Sequence, residues 1–157
     1  MNMGTETERK FLVDHEKWRK LKKPKGVHYR QGYLSDDKRL TFRIRIAGNQ
    51  GFITIKGGST GISRSEFEYK IPAKDAAELL SGFAVSELEK TRYRITYSGK
   101  LWEIDEFANE NEGLIMAEIE LKHEDEAFEK PGWITEEVSY DKRYYNSYLA
   151  KHPFKSW

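Results

Sequence analysis

Hydrophobic and polar residues alternate along most of this chain, in short runs separated by turn residues. Such alternation places successive side chains on opposite faces of a strand. It predicts strands over Glu6–Leu12, Val27–Leu34, Leu40–Ala47, Phe52–Lys56, Arg64–Ile71, Glu87–Tyr97, Leu101–Phe107, Leu114–Lys122 and Thr135–Tyr140. Short connections such as Ser98-Gly99 favour antiparallel hairpins over parallel crossovers. The chain is therefore expected to be an α+β protein that is mainly antiparallel β.

Three segments have helical patterns instead. A short helix over His15–Leu21 is predicted behind the capping residue Asp14. The apolar residues of Ala73–Gly82 fall on one helical face, which is expected to pack against the sheet. The tail Asp141–Lys151 is also predicted to be helical and to end before Pro153.

Pairs of like charges, separated by one residue, recur in the predicted strands and so share a face. The acidic pairs are Glu6/Glu8, Glu66/Glu68, Glu103/Asp105 and Glu118/Glu120, and the basic pairs are Arg43/Arg45 and Lys90/Arg92. The opposite face carries the apolar residues expected to be buried, among them Ile44, Phe67, Tyr69, Trp102 and Ile119. A half-buried sheet with a solvated charged face would explain any single pair. Neighbouring like charges repel, however, so their segregation by sign calls for a compensating ligand.

Composition narrows the classes of function. The formal net charge of +1 argues against a broad surface for nucleic acid, DNA included, or for membrane. The absence of cysteine excludes disulfides and thiol chemistry. No apolar run approaches a membrane span and the N-terminus is polar, so a cytoplasmic protein is expected. No linker or repeat divides the chain, and residues 1–157 are expected to form one domain.

The two charge signs indicate two kinds of ligand. Carboxylate clusters gather hard cations such as Mg²⁺ or Mn²⁺, whereas arginine and lysine clusters hold phosphate oxygens. Together they indicate a metal-polyphosphate complex. Closing about eight strands into a barrel would bring the charged faces into one lumen and turn the apolar faces outward, against the helices.

The N-terminal segment Glu6-x-Glu8-x-Lys10 resembles the signature of the CYTH superfamily, the triphosphate tunnel metalloenzymes. Later motifs follow in that family's order: Arg43-x-Arg45, Lys56, Glu66-x-Glu68, Lys90-x-Arg92, Glu103-x-Asp105 and Glu118-x-Glu120. The opening ERKFLV and the ending DKRYYNSYLA are most similar to the short bacterial single-domain members. The resemblance implies an eight-stranded tunnel with metal and triphosphate inside.

The resemblance also implies residue roles. The principal metal ligands are Glu6, Glu8, Glu118 and Glu120, while Glu66, Glu68, Glu103 and Asp105 complete a second metal site or orient cations by salt bridges. The predicted phosphate ligands are Lys10, Arg43, Arg45, Lys56 and Arg92, with Arg143 added, although a cap-and-salt-bridge role suits Arg143 equally. Lys90 resembles the family's general base, which would have to lose its proton.

The function implied is metal-dependent hydrolysis of a linear triphosphate, with inorganic tripolyphosphate as the expected substrate. Alternatives are a class IV adenylate cyclase, a nucleoside or thiamine triphosphatase, and a non-catalytic polyphosphate-binding module. The tail helix is a candidate cover for one mouth of the tunnel. The oligomeric state is left open, a homodimer included.

Overall fold

A computed structural model describes residues 4–35, 37, 39–60 and 62–157. The strands are β1 (Glu6–Val13), β2 (Val27–Tyr33), β3 (Leu40–Ala47), β4 (Gln50–Thr60), β5 (Ser63–Ile71), β6 (Ser86–Tyr97), β7 (Lys100–Phe107), β8 (Ile115–Glu120) and β9 (Ile134–Glu137). The α-helices are α1 (His15–Lys20), α2 (Ala73–Phe83) and α3 (Asn146–Lys151). Three short 3₁₀ helices span Asn109–Asn111, Lys142–Tyr144 and Phe154–Ser156. No helix in this described part is long and apolar enough to cross a membrane.

The strands β1 to β8 form a closed antiparallel barrel in the order β5, β4, β3, β2, β6, β7, β8, β1. The barrel closes where Glu6 and Thr7 of β1 pair with Arg64 and Ser63 of β5. Further along, β1 pairs with β8 and, at its end, with β9, which lies outside the closed ring. The prediction of an eight-stranded closed barrel with a few helices is confirmed, with β9 as an added edge strand.

Apolar side chains on the outer face of the barrel are covered by the first two helices. Trp18 of α1 belongs to a cluster with Phe11, Trp102 and Trp133, and α2 packs Ala76 and Leu80 against Ile44. Burial of such side chains removes apolar surface from water and stabilises the closed sheet.

Glycines in two strands let α2 approach the barrel closely. A Cβ atom added at Gly32 would lie 2.7 Å from Leu80 Cδ2, and one added at Gly51 would lie 2.9 Å from Ala76 Cβ. Both distances are too short for carbon atoms in contact. These two strand positions therefore need glycine.

One end of the lumen is apolar. Leu88, Phe107 and Met116 each lie two residues along the strand from a buried charged residue, so they share its inward face. They form a cluster with Leu149 of α3, which is completely buried. Helix α3 therefore plugs this end of the barrel.

Several element boundaries differ from the prediction. Strand β4 spans Gln50–Thr60, so it continues past Lys56, where the predicted strand ended. Strand β9 spans Ile134–Glu137 instead of Thr135–Tyr140. The predicted tail helix is interrupted at Tyr145, whose extended backbone separates a 3₁₀ turn from α3.

Two aromatic residues expected to be buried are exposed. Phe67 and Tyr69 of β5 are 43% and 53% accessible. Their face of the sheet was predicted from alternation alone, which identifies a face but not what covers it. Helix α2 contacts β2, β3 and β4, leaving the outer face of β5 largely open to solvent.

Candidate active site

The lumen of the barrel encloses a cavity of about 320 Å³. The predicted site residues that line it are Glu6, Glu8, Lys10, Arg43, Arg45, Lys56, Glu66, Glu68, Lys90, Arg92, Glu103, Glu118 and Glu120. Two predicted residues, Asp105 and Arg143, are not part of this lining. Alternation along seven of the eight barrel strands thus brings most of the predicted residues into one space.

Arginines of β3 and β6 make part of this wall strongly electropositive. Burial, together with the nearby charges of Arg43 and Arg92, lowers the pKa of Arg45 to about 10. The Nε atoms of Arg43, Arg45 and Arg64 are buried and have no hydrogen-bond partner among the described residues. Buried guanidinium donors without partners are costly unless an acceptor meets them. The arrangement suits an anion with several oxygen atoms.

Two lysines lie among carboxylates on the wall around β1. Lys56 donates a hydrogen bond of 2.7 Å to Glu6 Oε2. Burial alone would raise the pKa of Glu6, but Lys56, a hydrogen bond with Glu8 and the charge of Arg43 together outweigh it, and the pKa falls to about 2. Lys10 lies 3.8 Å from Glu8 and 4.9 Å from the centre of the Tyr145 ring. Both lysines therefore hold cationic charge beside the cavity.

Three carboxylates of β1 and β8 lack close cationic partners. Glu8 is opposite Glu120 in the strand register, and Glu118 is opposite Lys10. Among the described residues, Glu118 and Glu120 make no ion pair, and the nearest to Glu8 is Lys10 at 3.8 Å. Burial and then Glu118 raise the pKa of Glu8 well above its usual range. Negative charge is thus crowded and incompletely neutralised here.

The pKa values of the neighbouring carboxyls depend on the balance between burial and nearby charges. Burial raises the pKa of Glu120 and of Glu66. Burial acts in the same direction on Glu118, but Lys10 and Arg92 outweigh it and lower the pKa of that carboxyl. Glu66 Oε2 is buried without a hydrogen-bond partner in the part of the chain that the structure describes.

The remaining predicted carboxylates are engaged by arginine. Glu68 accepts a hydrogen bond of 2.9 Å from Arg45, and Glu103 accepts one of 3.0 Å from Arg94. Both oxygens of the fully buried Asp105 accept hydrogen bonds from Arg92, at 2.8 and 2.9 Å. Asp105 is therefore occupied as a structural counter-ion.

Lys90 is a buried lysine at the inner end of the cavity. Its Nζ donates hydrogen bonds to Asp105 Oδ2 at 2.7 Å and to Asn146 Oδ1 at 3.0 Å. Burial lowers the pKa of Lys90, Asp105 opposes this effect and Arg92 supports it, and the result is about 8. A lysine with this pKa is partly neutral near physiological pH and can accept a proton.

Arg143 lies away from the lumen. Its guanidinium pairs with Asp141 at 2.7 Å and contacts the ring of Trp157. The side chain remains 55% exposed. The geometry matches the cap-and-salt-bridge alternative and does not bring Arg143 to the predicted phosphate ligands.

Several residues of the cavity wall were not predicted from the sequence. They are Tyr33, Thr41, Arg64, Arg94, Leu101, Tyr145, Asn146 and Ser147. Arg64 and Arg94 share the parity of the predicted pairs in β5 and β6, so the alternation already contained the signal for them. Tyr145 lies within the predicted tail helix Asp141–Lys151. Only the break before α3 turns the segment 145–147 towards the lumen.

The family model for the CYTH domain matches residues 4–145 of this chain. The chain belongs to the CYTH family. The resemblance inferred from the charge motifs is thereby confirmed. The matched range includes every lumen strand of this CYTH chain and ends at Tyr145, immediately before α3.

Curated relatives cover the CYTH chain almost completely. An inorganic triphosphatase from Acetivibrio thermocellus is 48% identical over 99% of this chain and 99% of its own length. An inorganic triphosphatase from Nitrosomonas europaea is 39% identical over 93% of this chain and 97% of its own length.

Solved structures share the barrel. The crystal structure of an inorganic triphosphatase matches with a TM-score of 0.66 and 35% identity, and covers 96% of this chain and 97% of that chain. A putative adenylate cyclase from Bacillus halodurans matches with a TM-score of 0.62 and 19% identity, covering 78% of this chain and 84% of that one. At that identity the second match supports the shared fold alone.

The CYTH family implies a divalent metal, and the lumen fits one by its chemistry. Carboxylate oxygens are the ligands that hard divalent cations prefer, and the crowding that raises the pKa of Glu8 would be relieved by a cation. In the described part of the chain, no three histidine or acidic side chains already converge as a ready metal site. The fit therefore rests on the donor set of β1 and β8.

Proposed function

We propose that this CYTH protein hydrolyses inorganic triphosphate to pyrophosphate and phosphate inside the tunnel. The observation that carries the proposal is that one cavity of about 320 Å³ is lined both by arginines whose buried Nε atoms lack a hydrogen-bond partner among the described residues and by incompletely neutralised carboxylates. A metal-bound triphosphate supplies negative oxygen atoms for the arginines and a positive ion for the carboxylates. The function of the curated relatives, both inorganic triphosphatases, supports the same substrate.

The cationic residues bind and orient the triphosphate in this proposal. Arg43, Arg45 and Arg92 present planar guanidinium groups that match phosphate oxygens, whereas Lys10 and Lys56 act as point charges. Phosphoryl transfer depends mainly on such positioning and charge stabilisation. The buried surroundings strengthen each of these interactions relative to water.

Glu8, Glu118 and Glu120 would hold the divalent cation, Mg²⁺ or Mn²⁺, which supplies charge neutralisation at the phosphate oxygens. Glu6 and Glu66 lie next to this group and share Lys56, so they orient the cationic side of the wall. Glu68, Glu103 and Asp105 hold the arginines in place. We expect the reaction to take place in the cytoplasm.

Lys90 would accept the proton of the attacking water. As the water oxygen bonds to the terminal phosphorus, its proton moves to the neutral Nζ, and the bridging P–O bond breaks towards the pyrophosphate leaving group. The lowered pKa of about 8 makes the neutral amine available. Lys90 needs no metal contact for this step.

The test is a parallel assay with tripolyphosphate, ATP, GTP and thiamine triphosphate in Mg²⁺ or Mn²⁺. Released phosphate, pyrophosphate and cyclic nucleotide are measured for the wild type, Lys90→Ala and the control Tyr148→Phe, whose side chain does not line the cavity. Rapid phosphate release from tripolyphosphate, lost only in Lys90→Ala, supports the proposal. Cyclic AMP with pyrophosphate would identify a cyclase, and metal-dependent binding without product would identify a binding module; either result overturns it.

A further inference from the structure

We propose that Asn146 is a positioning residue that orients the Nζ atom of Lys90 for proton transfer. This inference rests on the proposed hydrolysis and adds to it a residue outside every charged motif of the chain. Asn146 begins α3, lines the cavity and accepts a hydrogen bond of 3.0 Å from Lys90.

The two acceptors on Lys90 restrict its orientation. A neutral lysine amine has two N–H donors and one lone pair in addition to its bond to Cε. Asp105 Oδ2 takes one donor and Asn146 Oδ1 takes the other. Arg92 and Lys90 hold the pKa of Asp105 well below its usual range, so this carboxylate only accepts. The lone pair is then fixed in the fourth tetrahedral direction, on a lysine that lines the cavity.

Asp105 alone would not define this direction. With a single acceptor, rotation about the Cε–Nζ bond and about the hydrogen bond leaves the lone pair free to sweep away from the lumen. The second acceptor removes this freedom. Misplacement of the Lys90 lone pair should slow catalysis strongly, because a displacement of about 1 Å lowers the rate by on the order of 100-fold.

The position of Asn146 is itself held by the plug. Leu149, three residues further along α3, is completely buried in the apolar cluster at the end of the lumen. Asn111 Nδ2 donates a hydrogen bond of 3.3 Å to the Leu149 carbonyl oxygen. The helix that closes the tunnel thus also delivers an acceptor to the proposed base.

Two near-isosteric variants separate positioning from other roles. Asn146→Leu removes the acceptor, whereas Asn146→Asp keeps an acceptor oxygen and adds a negative charge beside Lys90. We expect Asn146→Leu to lower kcat by about tenfold or more at every pH, with KM within about twofold. We expect Asn146→Asp to retain the plateau rate but to reach it about one pH unit higher, since the new charge favours protonated Lys90.

The control is Tyr148→Phe, a conservative change on the same helix whose ring contacts His152 and Trp157. It should leave kcat and the pH profile unchanged. The pH profile is interpretable because Arg92, Asp105 and Glu118, the charged groups that act on Lys90, are intact in all variants. Wild-type kcat in Asn146→Leu, or a raised KM with unchanged kcat, would refute positioning.

A second readout does not depend on hydrolysis. The ¹⁵N resonance of Lys90 Nζ, followed by NMR against pH, should titrate higher in Asn146→Asp than in the wild type. If the wild type fails to cleave tripolyphosphate, the proposed function fails, while this titration still decides whether Asn146 acts on Lys90. An unchanged Lys90 titration in Asn146→Asp would overturn the inference even if the wild type is fully active.

Discussion

The carboxylates of the lumen fall into two groups that the sequence does not distinguish. Glu8, Glu118 and Glu120 of β1 and β8 have no cation closer than 3.8 Å among the described residues. Glu68 and Asp105 of β5 and β7 accept arginine hydrogen bonds of 2.8 to 2.9 Å.

The difference indicates that the two groups of carboxylates have different roles. A carboxylate paired with an arginine holds that side chain in place and adds little net charge to the cavity. A carboxylate that is crowded by like charges and has no cationic partner costs stability unless a ligand compensates it. The arginine-paired group is thus built for the fold and the unpaired group for the ligand.

The largest expected effect is the loss of activity when a carboxylate of the unpaired group is replaced. Glu118→Gln should lower tripolyphosphate hydrolysis by at least about 100-fold, because it removes a proposed metal ligand without changing shape. Steady-state kinetics over a range of Mg²⁺ and Mn²⁺ concentrations measure this loss. Glu16→Gln, an equal charge change on the exposed face of α1, is the control. Equal activity in the two variants would remove Glu118 from the site.

The second effect is on the pH dependence of kcat. Because the pKa of Lys90 is lowered to about 8, the neutral fraction should rise about fivefold between pH 7 and pH 8 and level off above pH 9. The rate therefore rises with pH and is lost as the amine is protonated. The measurement is kcat at saturating metal and substrate. A flat profile from pH 6.5 to 9.5 contradicts Lys90 as the base.

The third prediction contrasts the two groups in thermal unfolding without metal. Glu8→Gln should raise the unfolding temperature by about 2–4 °C, since it removes a carboxyl group whose pKa is raised in the folded state. That cost to stability is present above the folded pKa and disappears as the pH falls towards 4.5.

Glu68→Gln should have the opposite sign in the same experiment. It removes a partner of the half-buried Arg45 and destabilises the protein by about 1–2 kcal/mol. Added tripolyphosphate should restore part of this loss, because phosphate oxygens replace the missing carboxylate. Shifts of the same sign in both variants would show that the two groups are not different.

The smallest effect is expected at a residue of neither group. Arg143→Ala should change kcat and KM for tripolyphosphate by less than about twofold, because its guanidinium pairs with Asp141 outside the cavity. The assay is the same steady-state measurement. A large rise in KM would place Arg143 on the substrate and restore the sequence-based prediction.

Sequence periodicity predicted the barrel well because alternation along each strand is local. It gave the inward faces of β1 and β8 and the outward apolar residues such as Trp102 without any knowledge of pairing. The state of each carboxylate depends on cross-strand neighbours. Whether Glu68 meets an arginine is decided by the register of β3, β4 and β5, which no single segment contains.

The tail was harder to predict for a different reason. Tyr144, Tyr148 and Leu149 fit helical spacing, which favoured one continuous helix. The turn at Tyr145 is stabilised by tertiary contacts, including the stacking of Lys10 and Arg64 on its ring. Contacts with residues more than 80 positions away leave no local pattern in the tail.

The apolar plug formed by α3 determines how substrate enters the cavity and how products leave it. A lumen that ends at Leu149 must admit its substrate and discharge its products by the same route. Pyrophosphate has to leave before the next anion enters, and a long polyphosphate cannot be threaded through and trimmed step by step. Each substrate molecule must therefore bind and leave separately, and the length of polyphosphate that can bind is limited by the depth of the cavity.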